Sequence, residues 1–291
     1  MHWRLVLMID RLCIIGTGLI GGSLALALKK AAYCKHIVGA GRNQGNLKKA
    51  QELGVIDSYE VDYYRAVANA DVVVVAVPLG SMRDVFEKIK PHLADGALLT
   101  DAGSAKSGVI NTARDVFDHI DKFIPAHPIA GIEQSGVEAA FDSLYQGRRV
   151  ILTPVNENNN TDIETIRLMW QATGAEVDLM DAAHHDLVLA GTSHLPHVLA
   201  YALVDCLNNV DDVDEIFRFA AGGFRDFTRI ASSDPVMWRD ICLQNGKAIL
   251  SMMDKYQQEI STLKQAIKLE DSDSLLEIFS RAKSARDKFL M

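Results

Sequence analysis

Cysteine, basic charge and long apolar runs are all in short supply. The four cysteines, Cys13, Cys34, Cys206 and Cys242, are scattered without a CxxC pair. That excludes a dithiol redox motif, and they read as reduced, mostly buried small hydrophobes. No run of about 18 apolar residues occurs, so no membrane span is expected. At the start, Arg4 and Asp10 flank only the apolar stretch Leu5 to Ile9, without a small-residue cleavage site. This does not fit a secretory signal and leaves a cytoplasmic location as the expectation. Met8 stands just before the first strand as an alternative start. Lys and Arg number 30 against 38 Asp and Glu, a net charge of −8. No broad attraction to nucleic acid or to an anionic membrane surface is therefore expected.

What remains is ordinary globular material, 48% hydrophobic and 23% charged over 291 residues, long enough for two domains. Between Arg11 and about Thr153, β-rich runs alternate with helical patterns. Leu12–Ile15 leads into a helix near Leu19–Ala31, and Ile37–Val38 into a helix ending near Leu53. Asp71–Val77 holds four consecutive valines, the mark of a strand buried on both faces. A helix near Met82–Ile89 follows, then Ala97–Thr100 and a helix after Ser104. The alternation predicts βαβ crossovers and a mostly parallel sheet. Arg149–Thr153, a helix opening with the capping box Thr161–Glu164, and Ala175–Leu179 are expected to complete that sheet, giving a first domain of residues 1–181.

Gly16-Thr17-Gly18-Leu19-Ile20-Gly21 falls in the first strand–helix turn, the context that gives GxGxxG its meaning. Gly16 permits the turn, Gly18 lets a pyrophosphate approach the backbone, and Gly21 lets helix and strand lie close. A dinucleotide-binding α/β fold of Rossmann type is the expectation. In place of the carboxylate that usually takes the ribose hydroxyls of NAD stands Gly39-Ala40-Gly41-Arg42-Asn43. The Arg42 guanidinium suits a 2′-phosphate, which favours NADP over NAD. Gly41, Arg42, and Val77 with Pro78 at the end of the valine strand complete the candidate cofactor residues. Asp101-Ala102-Gly103-Ser104-Ala105-Lys106 ends the next strand at the carboxyl edge, where such sheets bind ligands. Ser104 serves there as a helix N-cap, or turns its hydroxyl to the nicotinamide and a catalytic group. His127, in Ala126-His127-Pro128-Ile129-Ala130-Gly131 after Phe123–Ile124, reaches the same edge.

From Asp181 the β pattern disappears, and residues 182–291 read as an all-α substrate-binding and dimerisation domain. The stretch His185 to Leu207 is apolar on nearly every face and so reads as a buried helix. Ser193, His194 and His197 interrupt it on neighbouring positions of one side, with Pro196 predicting a local kink near Thr192. Buried polar groups cost on the order of 1–3 kcal/mol each unless bonded, so these point to a binding site. The HxxH spacing has no third ligand in a recognisable motif, so no metal is expected. Gly222 and Gly223 break the helical pattern ahead of Arg225 and Arg229, and Arg229 suits either bidentate recognition of a carboxylate or an interdomain ion pair. Ser233-Asp234-Pro235 opens a helix that is predicted to run past Ala266, crossing Asn245-Gly246. Tyr256, Ile260, Leu263 and Ile267 make a stripe on it. At ~45 Å such a helix outruns a small domain, so its stripe suits a second copy in a two-fold dimer, with a final helix near Leu275–Phe289 covering it.

Taken in order, Gly16–Gly21, Asp101–Lys106, His127 to Gly131 with Glu133 and Ser135-Gly136, His185-Asp186, Ser193-His194-Leu195-Pro196-His197, and Gly222 through Arg229 to Trp238 resemble the prephenate/arogenate (cyclohexadienyl) dehydrogenase family over nearly the whole chain. The resemblance implies oxidative decarboxylation, with hydride passing from the ring carbinol carbon to NAD or NADP and the ring carboxylate leaving as CO2. It implies that His127 takes the hydroxyl proton and that Ser104 orients His127 and the cofactor. Ser193, His194, His197 and Glu133 fall at substrate positions, and Arg229 at the substrate carboxylate. Trp238 helps close the pocket, from the same chain or a second subunit. Ile132 stands where some members carry Thr. A fused chorismate mutase or a C-terminal regulatory domain is not expected, and the choice between prephenate and arogenate stays open. Two other readings are a 3-hydroxyacid dehydrogenase of the 6-phosphogluconate type, with Lys247 as its one candidate catalytic lysine, and a non-catalytic dinucleotide-binding dimer.

Overall fold

Four buried valines explain the centre of the fold. In the computed structural model, which describes residues 8–132 and 134–289, strand β4 (Val72–Val75) is buried along its length. It pairs in parallel with β1 (Ile9–Ile15) on one side and β5 (Leu98–Asp101) on the other. With β2 (Cys34–Ala40), expected from Ile37–Val38, and β3 (Ser58–Glu60), which the sequence pattern did not reveal, they form a parallel sheet of order β3-β2-β1-β4-β5. Between them run α1 (Leu19–Lys30), α2 (Gln44–Glu52), α3 (Tyr63–Val67), α4 (Met82–Ile89) and, after β5, α5 (Ser107–Val116). All four expected strands of this part and the helix at Met82–Ile89 are present.

The later β segments do not complete that sheet. Strands β6 (Ala126–Pro128), β7 (Arg149–Leu152) and β8 (Glu176–Leu179), with α6 (Asn160–Ala172) before β8, make a separate three-stranded sheet in which β6 and β7 are antiparallel. Its tie to β5 is one bridge, Leu99 to Phe123. Beyond that bridge Pro125 brings no N–H to a ladder, and the Asp101 carboxylate takes the Ala126 N–H at 3.2 Å. One apolar core nonetheless spans both sheets, from Leu12, Leu24 and Val74 to Val150, Tyr145 and Trp170. Each fully buried aliphatic side chain contributes about 1.5–3 kcal/mol. The Tyr145 hydroxyl donates to the Ile20 carbonyl at 2.6 Å, which pins the first turn of α1 to the second sheet. The cap of α6 is Asn159, whose side chain accepts from the Asp162 N–H at 3.0 Å. Thr161 already lies inside the helix, so the expected capping box gives way to the residue two places earlier.

After β8 every described element is helical: α7 (Ala182–Leu189), a π turn (Ala190–His194), α8 (Leu195–Asn208), α9 (Val213–Arg218), α10 (Gly222–Thr228), α11 (Pro235–Gln244), α12 (Gly246–Lys268) and α13 (Ser272–Phe289). The irregularity predicted from Pro196 is the π turn, closed by a Leu195 N–H bond to the Ala190 carbonyl. One expectation fails here. The Ala182–Asn208 helix is 27 residues long and, by length and composition alone, apolar enough to cross a membrane. It is not the buried helix that the pattern suggested, because in α8 only Ala200 is buried. Apolar residues on every face give no clue to whether the cover comes from the same chain. The long helix after Asp234 is also interrupted: α11 ends at Gln244, and Asn245 leaves helical geometry with φ −111° and ψ 24°. Its start is as expected, with Asp234 capping the Met237 N–H at 2.8 Å.

The chain separates into two compact units, one ending at Gly246 and one beginning at Lys247. In the second, α13 has no buried residue, and Ile260 and Ile267 stay exposed, so the final helix does not cover the stripe as expected. Among the cysteines only Cys13 is buried, whereas Cys206 is exposed. Burial pushes the Cys13 thiol up to about 12.

Candidate active site

A cavity of about 300 Å3 opens at the carboxyl end of β1 and β2, lined by Gly16, Thr17, Gly18, Gly41, Arg42, Val77 and Pro78 among others. Gly16 has φ +99°, and a Cβ there would lie 2.2 Å from the Ala76 carbonyl oxygen, so no other residue fits. At Gly21 a Cβ would meet the Gly16 oxygen at 2.0 Å, which is the helix-to-strand approach expected of the third glycine. Around Gly18 nothing lies within 4 Å of a Cβ position. Gly18 is also the N-cap of α1, with no side chain occupying the first N–H groups. These open amides and the helix dipole suit a phosphate. Leu19, Ile20 and Gly21 stand behind this wall rather than in it. Exposed Arg42 and half-buried Tyr63 line the outer part, together with Asp84, which pairs with Lys88 at 2.7 Å. The Tyr63 and Asp84 linings come from the first turns of α3 and α4 and had no signal in the sequence, and Gly136 was quoted there without a role.

The second group is built on a lysine that the motif carried unremarked. Lys106 and Asp101 are wholly buried and paired at 2.6 Å. The Lys106 ammonium also donates to the Ala126 carbonyl at 2.6 Å, while Asp101 accepts the Ala126 and Gly103 N–H groups. The pair thus grips both polar groups of Ala126 and places β6 where ladder pairing cannot. Burial lowers Lys106 from its ordinary value, against the opposing pull of Asp101. Helix α5 begins at Ser107 with Lys106 as its N-cap position, so half-buried Ser104 is not a cap; it lies in the turn between β5 and α5.

One residue beyond Ala126, His127 is 7% exposed. Its Nδ1 lies 2.8 Å from His185 Nε2, and His185 Nδ1 lies 2.9 Å from Asp186 Oδ1. The Asp186 carboxylate also accepts the backbone N–H groups of Lys106 at 2.8 Å and Ser107 at 2.9 Å. Burial alone would raise Asp186, but the bonds from His185, Ser107 and Lys106 hold it below the usual carboxylate range. His127 is held well below 6.5, first by burial and then by His185, Lys106 and His194. His185 is lowered chiefly by burial.

His194, in the π turn, is 1% exposed and is pushed down to about 4 by burial, with His185 next. Asn245 explains its orientation. The Asn245 amide nitrogen donates to the Asp186 carbonyl at 2.8 Å and lies 3.0 Å from His194 Nδ1. His194 Nδ1 is therefore an acceptor, and its Nε2 carries the hydrogen, buried beside the Ser104 backbone. The Trp238 Nε1 donor is buried and unpaired. The Trp238 ring stacks on His197 with centroids 3.8 Å apart and planes at 21°. His197 Nδ1 donates to the Ser193 carbonyl at 2.9 Å. Trp238 reaches these histidines from its own chain, since Asp240 on α11 accepts the Gly80 N–H at 2.9 Å and ties that helix to the loop after β4. No second subunit is needed to place it.

The structure therefore gathers His127, His194, His197 and Trp238, with the Ser104 backbone beside His194, into one cluster at the sheet edge. Arg229 is exposed at the start of a short turn, Arg229–Ser232, that packs on α8; Tyr201 on that helix donates to the Ser233 carbonyl at 2.5 Å. Glu133 lies outside the described residues. Asp101, Lys106 and Asn245 were missed as site residues, and His185-Asp186 was quoted without a role.

Comparison with known proteins agrees with both halves. Residues 24–179 match the nucleotide-binding domain of prephenate dehydrogenase, and residues 181–281 match its dimerization domain. A cyclohexadienyl dehydrogenase of Zymomonas mobilis is 39% identical over 280 residues, 94% of each chain. A prephenate dehydrogenase of A. aeolicus, solved with hydroxyphenyl propionate and NAD+, superposes with a TM-score of 0.90 at 34% identity over 96% of this chain and 98% of its own. An arogenate dehydrogenase of Synechocystis gives a TM-score of 0.81 at 26% identity, covering 96% of this chain and 100% of its own.

Proposed function

Because the chain belongs to the prephenate dehydrogenase family, we propose that His127 is the base of its oxidative decarboxylation. The enzyme is an oxidoreductase of tyrosine biosynthesis that converts prephenate, arogenate or both to the aromatic product with loss of CO2. A nicotinamide dinucleotide would supply the hydride acceptor, held by Gly16, Thr17, Gly18, Gly41, Val77 and Pro78. The open amides at Gly18 support that fit. Exposed Arg42, with no carboxylate beside Gly41, favours NADP over NAD. Residues 1–181 form the nucleotide domain and residues 182–291 the substrate and dimerisation domain in this reading, acting as a homodimer in the cytoplasm.

The observation that carries the mechanism is the state of His127. Its Nδ1 is engaged by His185, and Nε2 has no hydrogen-bond partner among the described residues. Burial keeps the ring neutral at pH 7, so Nε2 can accept the proton of the substrate's ring hydroxyl. As that oxygen gains negative charge, its carbon releases hydride more readily. A buried donor without a partner, Trp238 Nε1, supports recognition of a substrate oxygen, because an unpaired buried donor costs about 1–3 kcal/mol until an acceptor arrives. Arg229 takes a substrate carboxylate, Ser193, His197 and Glu133 complete the substrate positions, and Ser104 orients His127 towards the cofactor. Incubating the purified protein with prephenate or arogenate and each cofactor tests the reading. Reduced nicotinamide should appear with at least one pair; none with any pair overturns it.

A further inference from the structure

We propose that Asp186 and His185 are positioning residues that fix the tautomer of His127, so that the nitrogen presented to the substrate is always the bare one. The inference rests on His127 being the base, and it follows from counting donors. Asp186 accepts two backbone N–H bonds, from Lys106 and Ser107, and a carboxylate so held has no hydrogen to give. The 2.9 Å bond to Asp186 must then be donated by His185 Nδ1–H. A neutral imidazole carries one hydrogen, so His185 Nε2 is a lone pair. The 2.8 Å bond between the rings is in turn donated by His127 Nδ1–H. That leaves the lone pair of His127 on Nε2. Without this chain a neutral imidazole divides between two tautomers, one of which is useless as a base at this position.

The same chain helps after the proton is taken. The imidazolium keeps its Nδ1–H bond to His185, and the Asp186 charge stands one ring away. Facing His127 from the other elements are Lys106 after β5, paired with Asp101 at the end of that strand, and His194 in the π turn. Lys106 and His194 oppose the positive ring, so Asp186 and Asp101 are the groups that offset them.

Ring-nitrogen NMR of the holoenzyme, with the His127 signals assigned by their loss in H127N, reads the tautomer directly. Neutral His127 should be protonated on Nδ1; a resident hydrogen on Nε2 overturns the proposal whatever the rates are. Rates supply the second arm. A glutamine at 185 keeps an acceptor for His127 and a donor for Asp186, so H185Q should retain kcat within about tenfold. H185L should lose about 10²–10⁴-fold, the scale of a disabled general base, with the cofactor KM unchanged. Thermal melts confirm that both variants fold. Folded H185L at the wild-type rate, or folded H185Q as slow as H185L, overturns the proposal. Full activity of H127N alongside an Nδ1–H tautomer would instead sink the base assignment, and with it the catalytic part of this proposal, while the fixed tautomer stood.

Discussion

At the scale of single residues, the site divides into groups whose role depends on local backbone and groups whose role depends on distant partners. His127 and the GxGxxG turn were legible because a strand end and a positive-φ glycine are local facts. The chain that holds His127 was not: its bonds join residues 58, 79 and 80 places apart, and no short pattern encodes such a meeting. Lys106 shows the same limit, since a lysine in a turn reads as solvated until both its partners are placed. Replacing His127 by Asn should lower kcat by about 10²–10⁴ with modest change in KM, measured by steady-state kinetics. An unaffected rate would remove the mechanism. Replacing Arg42 by Ala should raise the KM for NADP about tenfold or more, as expected for a lost charge-assisted bond, and leave that for NAD unchanged. An unaltered cofactor preference would show that Arg42 is only a solvated rim residue.

Elements were easier to foresee than their relations. Period and composition located β1, β2, β4, β5 and α4, yet they did not show that β6 would leave the parallel sheet, because that turns on Asp101 and Lys106 seizing both polar groups of Ala126. Nor did they show where the long C-terminal helix breaks. Asn245 is a turn-former in a helical context, and the deciding fact is that its amide finds two acceptors, the Asp186 carbonyl and His194 Nδ1. The break thus ties the end of α11 to the middle of α7 and to the π turn. Asn245→Ala removes both bonds and frees His194 to adopt either tautomer, which halts its service as a fixed donor. The expected result is a substrate KM raised about tenfold, on the scale of one hydrogen bond of about 1–1.5 kcal/mol, with the cofactor KM unchanged. A rise in both constants would point to general loosening instead.

For the whole molecule, the Ile260–Ile267 stripe stays exposed in a region that matches a dimerization domain, which suits the proposed second copy. Sedimentation should give a dimer, and Ile260→Asp should shift it towards monomer; an unchanged dimer would place the interface on another face. The acid behaviour of the folded state follows from four histidines, His127, His185, His194 and His197, all lowered from 6.5 chiefly by burial. Below pH 6.5 the unfolded chain binds protons that the folded chain refuses, so stability is fully present above that value and is lost as pH falls. For His194, whose value drops to about 4, the loss is on the order of 3 kcal/mol across that window. Asp186 is lowered too and adds its loss only at still lower pH. Melting temperature followed from pH 8 to 5 should be flat down to about 6.5 and then decline, and His194→Asn should make the decline shallower. A melting temperature that holds or rises on acidification would mean that these rings are charged, or solvated, in the folded protein. The neutral base on which the chemistry depends would go with them.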